Sequence, residues 1–345
     1  MRKIALLTVT ALTLAACGQN TDSAGDTAAA DGGQVWAAGS STVFPFATRV
    51  AENVSRTSGG PSPKVESLGT GGGFKIFCSS AGSDAPDIAN ASRAMKKSEW
   101  DQCQANGVTE IVEIKIGYDG IVVANDKRGA TFNLTREQLF KALNGASTAR
   151  VWKDVDASLP GDKIAVYGPP PTSGTRDAFN ELAMEAGAKK DTALAALSKS
   201  DEKGFKAKAH SVRTDGAWID SGENDNAIVQ TLTKTPGAIG VFGFSFLEEN
   251  MDTVKAASVE GVAPSIATIS DGSYPLSRSL YIYVKKSSLT AKPAVKAFVQ
   301  AFVSDQASGK GGYLQSRGLI PLPEAQRTVQ KQAATDLTPM AAPTS

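Results

Sequence analysis

Ser173-Gly174-Thr175-Arg176 stands where an apolar run, Ile164-Ala165-Val166-Tyr167, gives way to a helical pattern of Phe179, Leu182, Ala183 and Ala186. A junction of this composition gathers backbone N–H groups, two hydroxyls and a guanidinium at the positive end of a helix dipole, a setting that holds a small anion without a metal. The same four residues also read as a plain helix start, capped by Ser or Thr, with a solvated arginine in the first turn. An arginine opposes the dipole at that position and has no capping role, which favours a ligand. Two other junctions repeat the pattern: Gly39-Ser40-Ser41-Thr42 after the run Gln34–Ala38, and Gly69-Thr70-Gly71-Gly72-Gly73 after Lys64–Leu68. In an open α/β sheet, loops at the carboxyl ends of strands line one crevice. The three loops are therefore expected to converge, with Arg93 at the end of the run Asp87–Ser92 and Arg176 beside Thr175. Nearly all these groups donate, so the expected ligand is an oxyanion. Two guanidiniums match a charge of about −2, and their bidentate geometry suits phosphate. Hydroxyls can also accept, so a partly protonated oxyanion fits as well.

Hydrolytic chemistry lacks its parts. No Gly-x-Ser-x-Gly elbow is present, and His210 is the one imidazole in the chain. There is no cluster of Asp and His of the kind metal phosphatases use, and no Gly-x-x-x-x-Gly-Lys-Ser/Thr pattern. The net charge of +1 argues against nucleic acid and against an electrostatic membrane surface as partners. A binding protein is expected rather than an enzyme, with no metal and no cofactor.

The elements that must position the loops alternate between strand-like and helical patterns, which indicates an α/β architecture. A helix with Pro45 in its first turn follows the first loop, with Val43, Phe46, Ala47, Val50, Ala51 and Val54 on one face. A short helix is expected from Phe74, a capped one over Ser98–Asn106, and a strand over Ile111–Ile116. A second unit begins at Asp119, and Thr135-Arg136-Glu137-Gln138 is a capping box. Ser277–Val284 reads as a long strand crossing back to the first unit, and Pro293 opens an amphipathic helix.

The N-terminus reads as a targeting segment. Arg2 and Lys3 precede an apolar run, Ile4–Leu14, too short for a permanent membrane span. Leu14-Ala15-Ala16-Cys17 resembles the bacterial lipobox, which implies cleavage before Cys17 and lipid on that residue. Residues 1–16 are thus expected to be a lipoprotein signal peptide and residues 17–33 a flexible tether. Export leaves Cys78 and Cys103 as an even pair in an oxidising compartment, and a disulfide between them is expected. Residues 328–345, rich in Ala, Thr and Pro, are expected to be disordered.

Taken in order, the motifs resemble the phosphate-binding proteins of the Pst-type ABC transporter, a branch of the type II periplasmic solute-binding proteins. The matching stretches are Gly39–Pro45, Gly69–Gly73, Asp87–Arg93, Ser173–Arg176, Thr235–Gly240 and Tyr274–Arg278, and the resemblance spans about residues 34 to 325. It implies two α/β lobes, 34–118 plus 274–327 and 119–273, joined by two crossing strands with the ligand cleft between them. Phosphate would meet Ser41, Thr42 and Val43 in the first loop, Thr70 and Gly71 in the second, and Ser173, Gly174 and Thr175 in the third. Hinge movement is expected near Gly117–Gly120 and Ser273–Arg278. Some members place an Asp after the third strand, as acceptor for the proton of monohydrogen phosphate, and an Arg just before the Ser-Gly-Thr loop. Here Arg93 takes the first place and Pro169-Pro170-Pro171 the second, so Arg93 and Arg176 are expected to carry the charge. Rejection of sulfate then needs another acceptor, for which Asp119, Asp215, Glu223 and Asn226 are candidates. The implied partners are inorganic phosphate and membrane permease subunits, met by a monomer held outside the cytoplasm, in the periplasm, by its lipid anchor. Another tetrahedral oxyanion, or a surface lipoprotein that scavenges phosphate or adheres without a permease, are the alternatives.

Overall fold

Strand and helix follow one another through the first hundred residues as the apolar pattern dictates. They are β1 (Trp36–Gly39), α1 (Phe44–Ser58), β2 (Lys64–Ser67), α2 (Gly69–Phe77), β3 (Ile88–Ala91) and α3 (Lys97–Ala105). The computed structural model describes residues 33–222 and 224–344. The expected signal peptide, Cys17, the tether as far as residue 32, and Glu223 lie outside the described residues. Pro45 occupies the first turn of α1, and Phe46, Ala47, Val50 and Ala51 are buried on the face that the 3.6-residue period marks.

β4 (Ile111–Asp126), 16 residues long, is the spine of the molecule. The remaining strands are β5 (Asn133–Leu134), β6 (Val166–Gly168), β7 (Trp218–Asp220), β8 (Ile239–Gly243), β9 (Val254–Ala256), β10 (Ser258–Val259) and β11 (Ser277–Lys285). The main sheet runs β2-β1-β3-β11-β4-β8-β6-β7, with β9 also on β4. β1 pairs in parallel with β2 and β3, and β6 pairs in parallel with β7 and β8. Each half thus has parallel strands feeding helices. β4 joins the halves: it pairs antiparallel with β11 from Ile111 to Gly120, and with β8 from Ile121 to Asn125. The fold is the two-lobed α/β arrangement expected from the sequence.

Each half has its own apolar core. One gathers Val43, Phe46, Ile114, Ile282, Phe298 and Phe302, and the other Val122, Leu139, Phe179, Trp218 and Phe242. Tyr118, Tyr274 and Leu276 pack into the second core. Between Ile116 and Tyr118 the side chains of β4 pass from the first core to the second, and its strand partner changes from β11 to β8 between Gly120 and Ile121. A smaller cluster holds Phe74, Phe77 and Tyr283 around the Cys78–Cys103 disulfide, whose Cα atoms are 4.2 Å apart. Closing a loop of 25 residues contributes about 3.5 kcal/mol in the chain-entropy model.

Two expectations are corrected. Residues 328–336 are not disordered: a helix spans Glu324–Asp336 and buries Ala334. Its Gln330 Oε1 accepts from the Lys115 backbone N at 2.8 Å, and its Gln326 Oε1 accepts from the Tyr118 hydroxyl at 2.8 Å. The Met340 N–H donates to the Ile111 carbonyl beyond it. Side-chain amides on an Ala-rich helix thus satisfy polar groups along β4, which composition alone does not reveal. The second correction concerns α2, which begins at Gly69 and not at Phe74. Its glycines serve packing as well as donation, since a Cβ on Gly73 would stand 2.4 Å from the Gly39 Cα.

Candidate functional site

Ser173 ends the segment that follows β6, and its Oγ accepts from the Thr175 N–H at 3.2 Å, capping the helix Gly174–Phe179. In that part the plain reading of the motif is realised. Gly174 then meets the other lobe: a Cβ there would lie 3.1 Å from the Ser41 carbonyl oxygen and 3.2 Å from the Thr42 Cα. A side chain there would have to push the opposing backbone back by a few tenths of an ångström. The Ser41 Oγ donates to Asp177 Oδ2 at 2.5 Å across the same seam, and the Thr42 Oγ1 lies 3.5 Å from the Gly174 carbonyl. Between the loops is a cavity of about 110 Å³ lined by Thr42, Ser173, Gly174, Thr175, Asp119 and Asp225, among others. Phe46 and Phe246 supply apolar wall. This is room for a small oxyanion or a few waters.

The other expected residues stand elsewhere. Thr70 and Gly71 line a wider cleft of about 750 Å³ on the far side of Arg278. Thr70 Oγ1 accepts from the Ser92 N–H at 3.1 Å and shares a hydrogen bond of 3.0 Å with the Ser92 hydroxyl. Val43 is fully buried, and its N–H points at Ser40 Oγ from 3.4 Å. Arg93 also faces the wide cleft, where Glu99 takes it in a two-pronged pair at 2.9 and 2.7 Å. Burial works against that charge, but the hydrogen bond and charge of Glu99 outweigh it and raise the Arg93 pKa.

Arg176 is not the solvated or ligand-facing cation the motif suggested. It is 6 % exposed, with its guanidinium stacked on Trp218 at 4.3 Å. Its Nη1 donates to the Pro169 carbonyl at 3.1 Å and to Asp220 Oδ1 at 3.3 Å, while its Nε is buried without a partner. Burial lowers its pKa, against the pull of Asp220. The absence of a nearby cap for this charge is made good by an aromatic face and a carboxylate from β7, both invisible in the local sequence.

The arginine that reaches the seam is Arg278, at the start of β11. Its Nη2 donates to Thr42 Oγ1 at 2.5 Å, its Nε to Asp119 Oδ2 at 3.2 Å, and its Nη1 to Glu181 in the opposite lobe. Sequence reasoning placed Arg278 in a matching stretch and in a hinge, but gave it no ligand role. Its register opposite Asp119, fixed by the β11–β4 pairing, is what brings the two together.

Among the candidate acceptors, Asp119 lines the cavity. Burial pushes its carboxyl above the ordinary range, Arg278 pulls against that shift, and Glu181 adds to it. Asp215 is paired with Arg213 at another hollow, and Asn226 is exposed on its helix. Asp225, one residue earlier, was missed; it is buried, lines the cavity and accepts from the Gly243 N–H at 3.0 Å. The cavity thus combines hydroxyl donors from two lobes with carboxylate acceptors, an arrangement suited to an anion that carries a proton.

Comparison with known proteins agrees with the geometry. The model of the PBP superfamily domain matches residues 24–306. Protein SphX of Synechococcus elongatus is 33% identical over 306 residues, covering 86% of this chain and 80% of that protein. The phosphate-binding protein PstS of Staphylococcus saprophyticus is 30% identical over 311 residues, covering 88% and 85%. Among solved structures, a possible phosphate binding protein from Planctomyces limnophilus superposes with a TM-score of 0.72 at 28% identity, covering 88% of this chain and 98% of that one. An ABC-type phosphate transport receptor from Vibrio cholerae shares the fold, with a TM-score of 0.57 at 21% identity over 84% of this chain and all of that one. The chain belongs to the PBP superfamily, in the group that contains the SphX and PstS proteins.

Proposed function

We propose that this chain captures inorganic phosphate in the cavity between its lobes and hands it to the permease of an ABC transporter. The observation that carries the reading is the meeting of Thr42 from one lobe with Ser173–Thr175 from the other around a space of about 110 Å³. Thr42, Ser173 and Thr175 donate to the ion, and Arg278 supplies charge where the sequence suggested Arg176. Asp119 accepts the proton of monohydrogen phosphate, the role for which position 93 offers no carboxylate. Sulfate has no proton to give, so it leaves that acceptor unpaired, at a cost of about 1–3 kcal/mol. Binding, and not turnover, fits a site whose hydroxyls have no imidazole beside them: His210 is held by Glu185 at 2.8 Å, away from the cavity.

The names of the relatives support phosphate as the ion, and the leader with Cys17 supports an exported protein held at a membrane by lipid. Calorimetric titration of the mature protein tests the ligand. Phosphate is expected to bind with one ion per chain and sulfate to give no heat; silence with phosphate, or equal binding of the two, removes the reading. Uptake of labelled phosphate in a strain lacking the protein tests the transporter role. Unchanged uptake at low phosphate would leave a scavenging lipoprotein without a permease.

A further inference from the structure

Arg93 and Arg278 line the wide cleft, Arg317 lines the small cavity, and Arg176 lies behind the Ser173–Thr175 loop; all but Arg317 are already engaged. Arg93 is taken by Glu99, Arg176 by Trp218 and Asp220, and Arg278 by Thr42, Asp119 and Glu181. The fourth, Arg317, lines the small cavity, is exposed, and has no side-chain hydrogen bond or ion pair among the described residues. We propose that Arg317 is a fixed capture cation, which draws the anion to the cavity before the lobes close on it. This inference rests on the reading of the cavity as an anion site.

The mounting of Arg317 separates it from the loops. It ends a single turn, Gln315–Arg317, whose backbone is tied by Arg317 N to the Leu314 carbonyl at 3.0 Å and by Gly318 N to the Gln315 carbonyl at 2.9 Å. Gly318 reverses the chain with a φ of 95°. Leu314 and Leu319, on either side, are fully buried. The next residue, Ile320, exchanges both backbone hydrogen bonds with Tyr118, each 2.9 Å, beside Asp119 on β4. Arg317 is therefore anchored to the strand that crosses between the lobes. Its distance from Asp119 is set by that anchor and not by how far Ser173–Thr175 has swung toward Thr42.

A free guanidinium at the mouth of a narrow cavity acts at a distance. Its field reaches about one Debye length, roughly 8 Å at physiological ionic strength, and steers an oppositely charged ion during approach. Such a charge governs the association rate and its salt dependence, whereas groups buried against the ion govern its escape. Arg278 belongs to the second kind and Arg317 to the first. The ligand class that follows is a small, multiply charged oxyanion.

The test is rapid-mixing measurement of phosphate association and dissociation with the mature protein, comparing wild type, Arg317→Gln, Arg317→Lys and Arg317→Glu at low and at physiological salt. In Arg317→Gln the association rate is expected to fall by about threefold or more at low salt, with a smaller gap at higher salt. Arg317→Glu should fall further, Arg317→Lys should recover most of the loss, and dissociation should change by less than about twofold. An unchanged association rate in Arg317→Gln, or a loss confined to dissociation, overturns the role of Arg317 while phosphate binding itself stands. Wild-type protein that binds no phosphate overturns the reading beneath it instead.

Discussion

Ser173–Thr175 and Gly69–Gly72 carry the same chemistry in sequence: hydroxyls, glycines and open N–H groups at a helix start. The first faces a cavity of about 110 Å³ and the second a cleft of about 750 Å³, with Arg278 between them. The difference comes from what lies opposite. Ser173–Thr175 meets the backbone of Ser41 and Thr42 so closely that a Cβ on Gly174 would lie 3.1 Å from the Ser41 carbonyl oxygen. The glycine-rich loop meets only long side chains of the other lobe, such as Glu181 and Lys206. A donor-rich loop becomes one wall of a small-ion site when a second backbone is held against it, and otherwise borders open solvent.

That contrast can be broken most directly at Arg278. Arg278→Ala is expected to cost about 2–5 kcal/mol of phosphate binding, since it removes charge and leaves Asp119 unpaired. Thr70→Ala, on the wide cleft, is expected to cost no more than about 1 kcal/mol. Calorimetry on the pair decides the matter, and a larger loss at Thr70 than at Arg278 reverses the comparison. Next in size is Arg176→Ala, which takes a buried guanidinium from Trp218 and Asp220. Denaturant unfolding should show a loss of about 2–4 kcal/mol in stability, with phosphate affinity largely kept by the protein that remains folded. A selective loss of phosphate affinity at full stability would instead make Arg176 a ligand.

The smallest expected effect sharpens the comparison at Asp119. Asp119→Asn replaces an acceptor with a group that also donates, so sulfate, silent in wild type, should begin to bind by about 1–3 kcal/mol. Acid should imitate the substitution. The Asp119 pKa lies above the ordinary carboxylate range because of burial. As the pH falls through that raised value the carboxyl gains a proton and becomes a donor, so sulfate binding should appear as the buffer is acidified. The same shift has a stability consequence with a definite sign. The folded state holds the proton more tightly than the unfolded chain, so stability falls as pH rises from the ordinary carboxylate range through the raised value. Sulfate binding that is absent from both the variant and the acidified protein would remove Asp119 from the discrimination.

The strand-to-helix loops and the alternation of strand and helix were legible because they rest on local patterns: apolar period, glycine punctuation and capping residues. The Thr135 box is an instance, closed by Thr135 N to Gln138 Oε1 at 2.8 Å and Gln138 N to Thr135 Oγ1 at 3.0 Å. The two-lobed architecture came instead from the resemblance of the motifs to a known family. The disulfide was legible from cysteine parity once export was read from the leader. The charge of the site was not. Arg176 adjoins the motif but turns onto Trp218, a residue of another strand, while Arg278 reaches Thr42 from 236 positions away. Adjacency in sequence says where a side chain starts, and tertiary packing says where its guanidinium ends. Asp119 was singled out with Asp215 on equal terms, and what separates them is tertiary: Asp119 lines the cavity beside Arg278, whereas Asp215 pairs with Arg213 at another hollow. The C-terminal helix was misread because Ala and Thr composition does not reveal the polar groups of β4 it covers.

β11 lies between β3 and β4 in the sheet although its partners there precede it by about 160 to 200 positions in the chain. The first lobe to leave the ribosome therefore lacks its central strand until most of the protein has been made. The second lobe is built chiefly from one continuous stretch, and its widest pairings, β4 with β8 and β9, span no more than about 130 positions. Because long-range pairings form late, at the cost of closing a large loop, the order of completion runs opposite to the order of synthesis. The lobe that is translated first is finished last.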